Sequence, residues 1–215
     1  MEKDLGNYRR SYEKFELLLK DVPENPMELF QKWFFAVDKF FPENENNAMT
    51  ISTQGIDGYP KSRVVLLKKY TFEGFIFYTN YESEKGKAIA KNPNVCLSFF
   101  WHGAEQQIII KGKAEKIANN LSDGYFESRP RGSQLGALVS KQSEVVASRD
   151  ILENRLKNLE KEYDGKAIER PKFWGGYIVK PIEIEFWQGR PNRLHDRVRY
   201  TLQKDYNWQI DRLSP

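Results

Sequence analysis

Apolar residues recur at helical spacing from Leu29 onward: Leu29, Phe30, Trp33, Phe34, Val37, Phe40 and Phe41 fall on one broad face. Asn25 can cap this segment and Pro26 suits a first helical position, so a helix is predicted to start there. Residues 7–20 are charged, with Leu17, Leu18 and Leu19 near the end, and read as a marginal helix or a mobile N-terminal arm. From Ala48 the period changes to two. Met49-Thr50-Ile51-Ser52 alternates, Gly55-Ile56-Asp57-Gly58 makes a turn, and residues 63–68 form an aliphatic, β-branched run. Glu73-Gly74 then turns the chain into a strand at 75–79, and a short helix follows from Ser83 to about Asn92, stopped by Pro93.

Residues 95–101 and 106–117 read as two further strands. The stretch 121–141 divides into two helical pieces around Arg129-Pro130-Arg131-Gly132. Between 148 and 164, Ile151, Leu152, Leu156, Leu159 and Tyr163 share a helical face that Gly165 closes. Strands return at 173–179, 182–186, 197–202 and 207–213. Strands joined by short turns, with helices inserted rather than alternating, predict an α+β antiparallel barrel-like domain, not a doubly wound sheet. No repeat, low-complexity tract or linker marks a second domain.

Composition narrows the function classes. In 215 residues, 40% are hydrophobic and 14% aromatic, enough to build a core and exclude disorder over most of the length. The balance of 34 basic against 30 acidic residues gives +4, too mild an excess to indicate a nucleic-acid partner without clustering. A single cysteine, Cys96, forms no intrachain disulfide and suits a reducing, cytoplasmic setting. With only His102 and His195 beside it, no metal site is expected. The opening MEKDLGNYRR lacks a signal peptide's apolar region and no run is long enough to span a membrane.

No glycine-rich nucleotide loop, phosphate loop, zinc-helix motif or nucleophile elbow is present, so an enzyme built on this chain relies on an organic cofactor. Three constellations are compatible with anionic ligands. As one strand, residues 193–199 place Arg193, His195, Arg197 and Arg199 on one face and Leu194, Val198 and Tyr200 on the other, either as a solvated edge or as a fork for an anion. Tyr125 and Arg129 lie four apart on a helix, with Arg131 near and Ser133 placed to cap the next helix: a phosphate corner or a solvated one. Arg63 and Lys68 bracket the run 64–67, expected to be buried, and their odd spacing points them to opposite faces; Ser83 and Lys85 open a helix nearby in sequence. Trp187 offers either an aromatic wall or a core side chain, and Gln107 either a ring-edge contact or a solvated amide. His102 is assigned no role.

Several motifs occur together: RVVLLK at 63–68, FYTN at 77–80, ESRPRGSQLGALVSKQS at 127–143, FWGG at 173–176 and IEFWQG…RLHDR at 184–197. In this wording and order, from about Tyr8 to Pro215, the sequence resembles the pyridoxamine 5′-phosphate oxidase family. The resemblance implies an antiparallel split β-barrel with peripheral helices: a single FMN-binding domain over 21–215, with residues 1–20 as an arm or lid. It implies a homodimer with FMN at the subunit interface. The reaction implied is oxidation of pyridoxamine or pyridoxine 5′-phosphate to pyridoxal 5′-phosphate, with hydride passing from C4′ to flavin N5 and O2 reoxidising the flavin to give H2O2. Carried over by position, the FMN contacts are Arg63, Val64, Val65, Leu66, Leu67, Lys68, Tyr78, Thr79, Lys85, Gln107, Gln142, Ser143, Trp187 and Arg197. Substrate contacts are Lys68, Tyr125, Arg129 and Ser133 at the phosphate and Arg193, Leu194 and His195 at the pyridine end, with Arg9 and Tyr12 closing over it. Arg193 and His195 are the catalytic pair.

One position departs from the family pattern: Glu84 stands where relatives commonly carry Arg before the helix lysine. A carboxylate there suits the helix dipole but opposes a phosphate, so Glu84 is expected to turn outward, leaving the phosphate to Arg63, Lys85 and Ser143. Two other readings remain open from the residues: a split-barrel flavin oxidoreductase with another substrate, and a non-catalytic basic binding module.

Overall fold

The structure is a computed structural model that describes residues 3–215. Asn25 accepts the Met27 amide through its side chain, and Pro26 has no amide hydrogen to leave unpaired in the first turn, so α1 spans Pro26–Phe40. The next elements are β1 (Ala48–Gln54), β2 (Pro60–Leu66), β3 (Lys69–Thr71), β4 (Gly74–Asn80), α2 (Glu84–Lys91), β5 (Asn94–Trp101) and β6 (Gln106–Lys116). Then follow α3 (Asn119–Ser128), α4 (Arg131–Val139), α5 (Arg149–Glu162), β7 (Trp174–Gln188), β8 (Asp196–Leu202) and β9 (Trp208–Leu213). The strands are hydrogen-bonded in the order β2-β1-β5-β6-β7-β4-β3, with β8 on β7 and β9 on β8. The β3–β4, β4–β7, β7–β8 and β8–β9 pairs are antiparallel.

The chain forms two compact units, and β1, β5, β6 and β7 contribute residues to both. The first comprises residues up to Met49, Leu97–Lys111 and Pro181–Pro215. Its core is aromatic: Phe30 meets Phe99 and Trp101 at ring-centroid distances of 5.4 and 6.2 Å, and Trp33 meets Phe186 at 5.3 Å. Each such side chain contributes about 1.5–3 kcal/mol when fully buried. Phe40 and Phe41 do not extend that face: Phe40 is exposed, and Phe41 leaves helical backbone as the C-cap.

Residues 7–20 adopt the arm and not the helix; the 3₁₀ turn at Leu19–Asp21 is their one helical element. The Glu105 carboxylate accepts the Glu13 and Lys14 amides at 2.8 and 3.1 Å, and Asp196 accepts the Leu17 amide at 3.1 Å. Amides met by carboxylates need no helical carbonyls, which explains why the helical alternative loses.

The second unit comprises Thr50–Cys96 and Gly112–Lys180. Gly74 opens β4 at φ 153°, where a Cβ would stand 2.1 Å from the Val179 carbonyl oxygen, so only glycine lets β4 lie this close to β7. Ser83 caps α2 by accepting the Gly86 amide, and Asn92 ends the helix ahead of Pro93. The α5 face packs Leu156, Leu159 and Tyr163 against a cluster of Phe126, Leu135, Ile168 and Trp174.

Two expectations need correction here. The run 64–67 is not a buried strand: β2 stops at Leu66, Val64 is 67% exposed, Val65 and Leu66 are half-buried, and only Leu67 is buried. β2 stands at one end of the strand order, hydrogen-bonded to β1 and in contact with β4, and the face that carries Val64 is left open. The two strands expected at 173–179 and 182–186 are one strand, β7, because Pro181 fits extended backbone without interrupting it.

Candidate active site

In the second unit, α2 delivers Lys85 into a nest of neutral oxygens. Its Nζ donates to Thr79 Oγ1 at 2.8 Å and to Gln142 Oε1 at 2.6 Å, and Thr79 Oγ1 donates to the same Gln142 oxygen at 3.2 Å. Burial, reinforced by the Arg63 charge, pushes the Lys85 ammonium down to about 8. Arg63 likewise donates to neutral acceptors, Thr53 Oγ1 at 2.7 Å and the Lys61 carbonyl at 2.8 Å, and burial lowers its pKa while Glu84 opposes the shift. Glu84 itself is turned to Lys61, whose Nζ lies 2.6 Å from its carboxylate. Two half-desolvated cations held by neutral oxygens form a site with room in its charge balance for an anion.

The same unit stacks its aromatic side chains around a third cation. Tyr78 of β4 lies on Tyr125 of α3 at a centroid distance of 3.8 Å and 19°. Arg129 follows α3 as its extended C-cap, and its guanidinium carbon stands 4.7 Å from the Trp174 ring centroid. Arg129 Nη1 is buried with no hydrogen-bond partner among the described residues, and burial lowers the guanidinium pKa. An unsatisfied buried N–H costs about 1–3 kcal/mol unless something accepts from it.

The first unit builds a different kind of site. A cavity of about 550 Å³ is lined by residues 8–12 of the arm with Arg190, Asn192, Arg193 and His195. Trp187, at the end of β7, places its ring 4.6 Å from the His195 ring and 5.8 Å from Tyr12. The Arg190 amide donates to His195 Nδ1 at 3.0 Å, which leaves the hydrogen of the neutral imidazole on Nε2. Burial first, then the Arg193 charge, lower the His195 pKa, with Asp196 opposing them. Asn192 and Arg193 adopt positive φ of 55° and 61°, each costing about 1 kcal/mol or more, strain that concentrates at functional loops.

Comparison with known proteins identifies this arrangement. Residues 36–161 match the pyridoxamine 5′-phosphate oxidase family, and residues 174–215 match the pyridoxine 5′-phosphate oxidase C-terminal dimerisation region. The chain belongs to the pyridoxamine 5′-phosphate oxidase family. It is 68% identical to the pyridoxine/pyridoxamine 5′-phosphate oxidase of Flavobacterium psychrophilum, over 99% of this chain and 100% of that one. It is 55% identical to the protein of that name from Christiangramia forsetii over the full length of both. Among solved structures, PhzG from Burkholderia lata in complex with tetrahydrophenazine-1-carboxylic acid superposes with a TM-score of 0.86 at 28% identity, covering 94% of this chain and 100% of that one. A pyridoxamine 5′-phosphate oxidase-related, FMN binding protein from Nostoc punctiforme shares the fold, with a TM-score of 0.70 at 11% identity over 90% of this chain and 100% of that one. The α+β split-barrel fold expected from the sequence is the fold of these structures.

Within this family fold, the predicted residues gather in separate groups. Arg63, Thr79, Lys85 and Gln142 meet, as do Tyr78, Tyr125 and Arg129, and Arg9, Tyr12, Trp187, Arg193 and His195. Ser143, in the left-handed region at φ 75°, Lys68, whose amide donates to the Ile76 carbonyl, and Leu194 are all exposed. Gln107 is half-buried near the start of β6.

Several local geometries differ from expectation. Arg193 and His195 precede β8, in and just after a 3₁₀ turn at Pro191–Arg193, so the single cationic strand face does not form. Arg197 and Arg199 do share a face, and each has a carboxylate: Arg197 Nε and Nη2 reach Glu185 at 2.8 and 3.1 Å, and Arg199 Nη2 reaches Asp211 at 2.9 Å. Arg129 lies outside α3, because Pro130 forces the residue before it into extended backbone. Ser133 sits in the first turn of α4, which starts at Arg131 with Pro130 as N-cap, so it caps nothing. Arg131 donates to the Tyr163 and Lys166 carbonyls and pins the end of α5.

Glu185 and Trp174 went unremarked as site candidates. Glu185 sits directly opposite Arg199 in register but bonds Arg197 diagonally, a pairing readable from the alternation IEIEF against RVRY once the two strands are known to be neighbours. Trp174 lay inside the FWGG motif with no local pattern to mark it.

Proposed function

We infer that the protein binds FMN and oxidises pyridoxamine 5′-phosphate or pyridoxine 5′-phosphate to pyridoxal 5′-phosphate, acting as a homodimer. The observation that carries this reading is the end-to-end likeness to enzymes of that name. The donor set fits the cofactor: a flavin mononucleotide brings one phosphate, and the buried Lys85 and half-buried Arg63 donate their hydrogen bonds to neutral oxygens. Lys85, Arg63, Thr79 and Gln142 would hold that phosphate, and Val64, Val65, Leu66 and Leu67 would line its ring or ribityl chain. Lys68, Tyr78, Gln107, Ser143, Trp187 and Arg197 complete the set the family resemblance assigns. FMN, when bound, supplies the hydride acceptor and the route by which O2 takes the electrons away.

The chain's own work is positioning. Arg129, with Tyr125, Ser133 and Lys68, is assigned to the substrate phosphate, and the buried, unpaired Arg129 Nη1 supports that assignment. His195, neutral with its hydrogen on Nε2, presents a donor to the pyridine ring, and Arg193 beside it stabilises negative charge. Arg9 and Tyr12 stand over the same cavity, where they exclude water. Residues 174–215, matching a dimerisation region, support the homodimer.

Anaerobic mixing of the yellow protein with each substrate tests the reading. The flavin colour should bleach with pyridoxine or pyridoxamine 5′-phosphate and return with air, releasing H2O2. A yellow protein that stays yellow with both belongs to a flavin oxidoreductase with another substrate, and a colourless one overturns the cofactor as well.

A further inference from the structure

Trp174, the first residue of β7, has no role in the function inferred above, yet three side chains that do have one meet on it. Its indole lies 5.5 Å from the Tyr78 ring at 11° and 6.2 Å from the Tyr125 ring at 8°, with the Arg129 guanidinium carbon 4.7 Å from its centroid. Trp174 itself is fixed. It is 7% exposed, pairs with Asn80 across the β4–β7 ladder, and packs edge-on against Phe126 at 5.2 Å.

Besides Trp174, the Arg129 guanidinium carbon meets the Phe126 ring, at a longer 5.7 Å. The residue has left helical backbone at the end of α3, and its Nη1 is buried with no acceptor among the described residues. A long guanidinium side chain without a hydrogen bond at that nitrogen would sample several rotamers, and an aromatic face is the kind of surface that restricts it by stacking.

We propose that Trp174 is a positioning residue for the phosphate-ester end of the substrate. Its indole face holds the Arg129 guanidinium so that Nη1 stays desolvated and unpaired until a phosphate-monoester oxygen accepts from it. The proposal rests on the inferred function but concerns phosphate recognition alone, which is measurable without turnover.

The test compares wild type, Trp174→Leu, Trp174→Phe, Arg129→Ala and the Trp174→Leu/Arg129→Ala double variant as flavin-loaded protein. Calorimetry gives the affinities for pyridoxal 5′-phosphate and for pyridoxal, and steady-state kinetics give KM and kcat with pyridoxine 5′-phosphate. Trp174→Leu should weaken pyridoxal 5′-phosphate about tenfold, equivalent to about 1.4 kcal/mol, and pyridoxal less than about twofold. KM should rise by the same factor with kcat held within about twofold. Trp174→Phe, which keeps a ring, should recover most of the loss, and Trp174→Leu should add less than about twofold in the Arg129→Ala background.

Equal weakening of pyridoxal and its phosphate would overturn the proposal, as would losses that multiply in the double variant, or a phenylalanine no better than leucine. If Trp174→Leu does not fold, Trp174→Phe carries the same test through a smaller, phosphate-selective loss that vanishes when Arg129 is absent. Should wild type leave pyridoxine 5′-phosphate unoxidised while the phosphate preference still depends on Trp174, the inferred function fails and the positioning role stands.

Discussion

Two titratable side chains set the expected pH behaviour. His195 has a pKa below its ordinary 6.5, so its neutral form is the folded protein's preferred one. Its contribution to stability is complete above the unfolded value and is lost as pH falls through the folded pKa. Protonation also gives Nδ1 a hydrogen and breaks its acceptance from the Arg190 amide. The pH profile of kcat/KM should therefore carry an acidic limb below 6.5, and His195→Gln should abolish that limb while slowing turnover; an unchanged limb removes His195 from the site. Lys85 is shifted in the same direction, but there the charged form is the one that binds. With its ammonium pushed down to about 8, the apoprotein loses that charge as pH rises through this value. FMN affinity, read by quenching of flavin fluorescence, should fall by up to about tenfold between pH 8 and 9, and Lys85→Met should bind weakly with no such slope.

At the scale of elements, α2 and β2 share one electrostatic problem. Glu84 sits in the first turn of α2, neutralises Lys61 of β2 and raises the Arg63 pKa. Removing that carboxylate as Glu84→Gln should tighten FMN by about two- to threefold at low salt, the gain shrinking in 0.5 M salt as screening shortens to about 4 Å. An unchanged affinity at both salt concentrations would place the phosphate away from this helix start.

These elements also mark how far the sequence could be read. The caps at Asn25 and Ser83 and the turn at Gly74 were legible because each acts on residues close in sequence or demands a backbone only glycine adopts, whereas the cap expected at Ser133 failed because α4 starts two residues earlier. The fate of residues 63–67 was not, since whether an aliphatic run is covered depends on which distant elements pack over each face of its strand. Nor was the pairing of Arg197 with Glu185, a contact 12 positions apart along the chain that exists only because β7 and β8 are neighbours. Arg193 and His195 kept their types but lost their strand, because a 3₁₀ turn with left-handed backbone at Asn192 and Arg193 is not written in a period-two pattern.

For the whole molecule, the match of residues 174–215 to a dimerisation region and the exposed Val64 on an edge strand lead to the same expectation. The protein should sediment at about twice 25.3 kDa. Val64→Asp, which sets a charge on that apolar surface, should raise the dimer dissociation constant by about tenfold or more and release FMN in step. A fully dimeric Val64→Asp variant that keeps its flavin would show that this strand faces solvent in the assembly.

Asp196 carries a consequence for biogenesis. Its buried carboxylate joins the Leu17 amide to Arg190 and Arg212, and Leu17 lies 179 positions upstream of it. During translation Leu17 emerges long before Asp196 exists, so this end of the arm stays unanchored until the C-terminal strands leave the ribosome, whereas Glu105 is already there for residues 13 and 14. A stalled nascent chain lacking residues beyond 190 should be cut by protease around Leu17, whereas the released protein should resist cutting there.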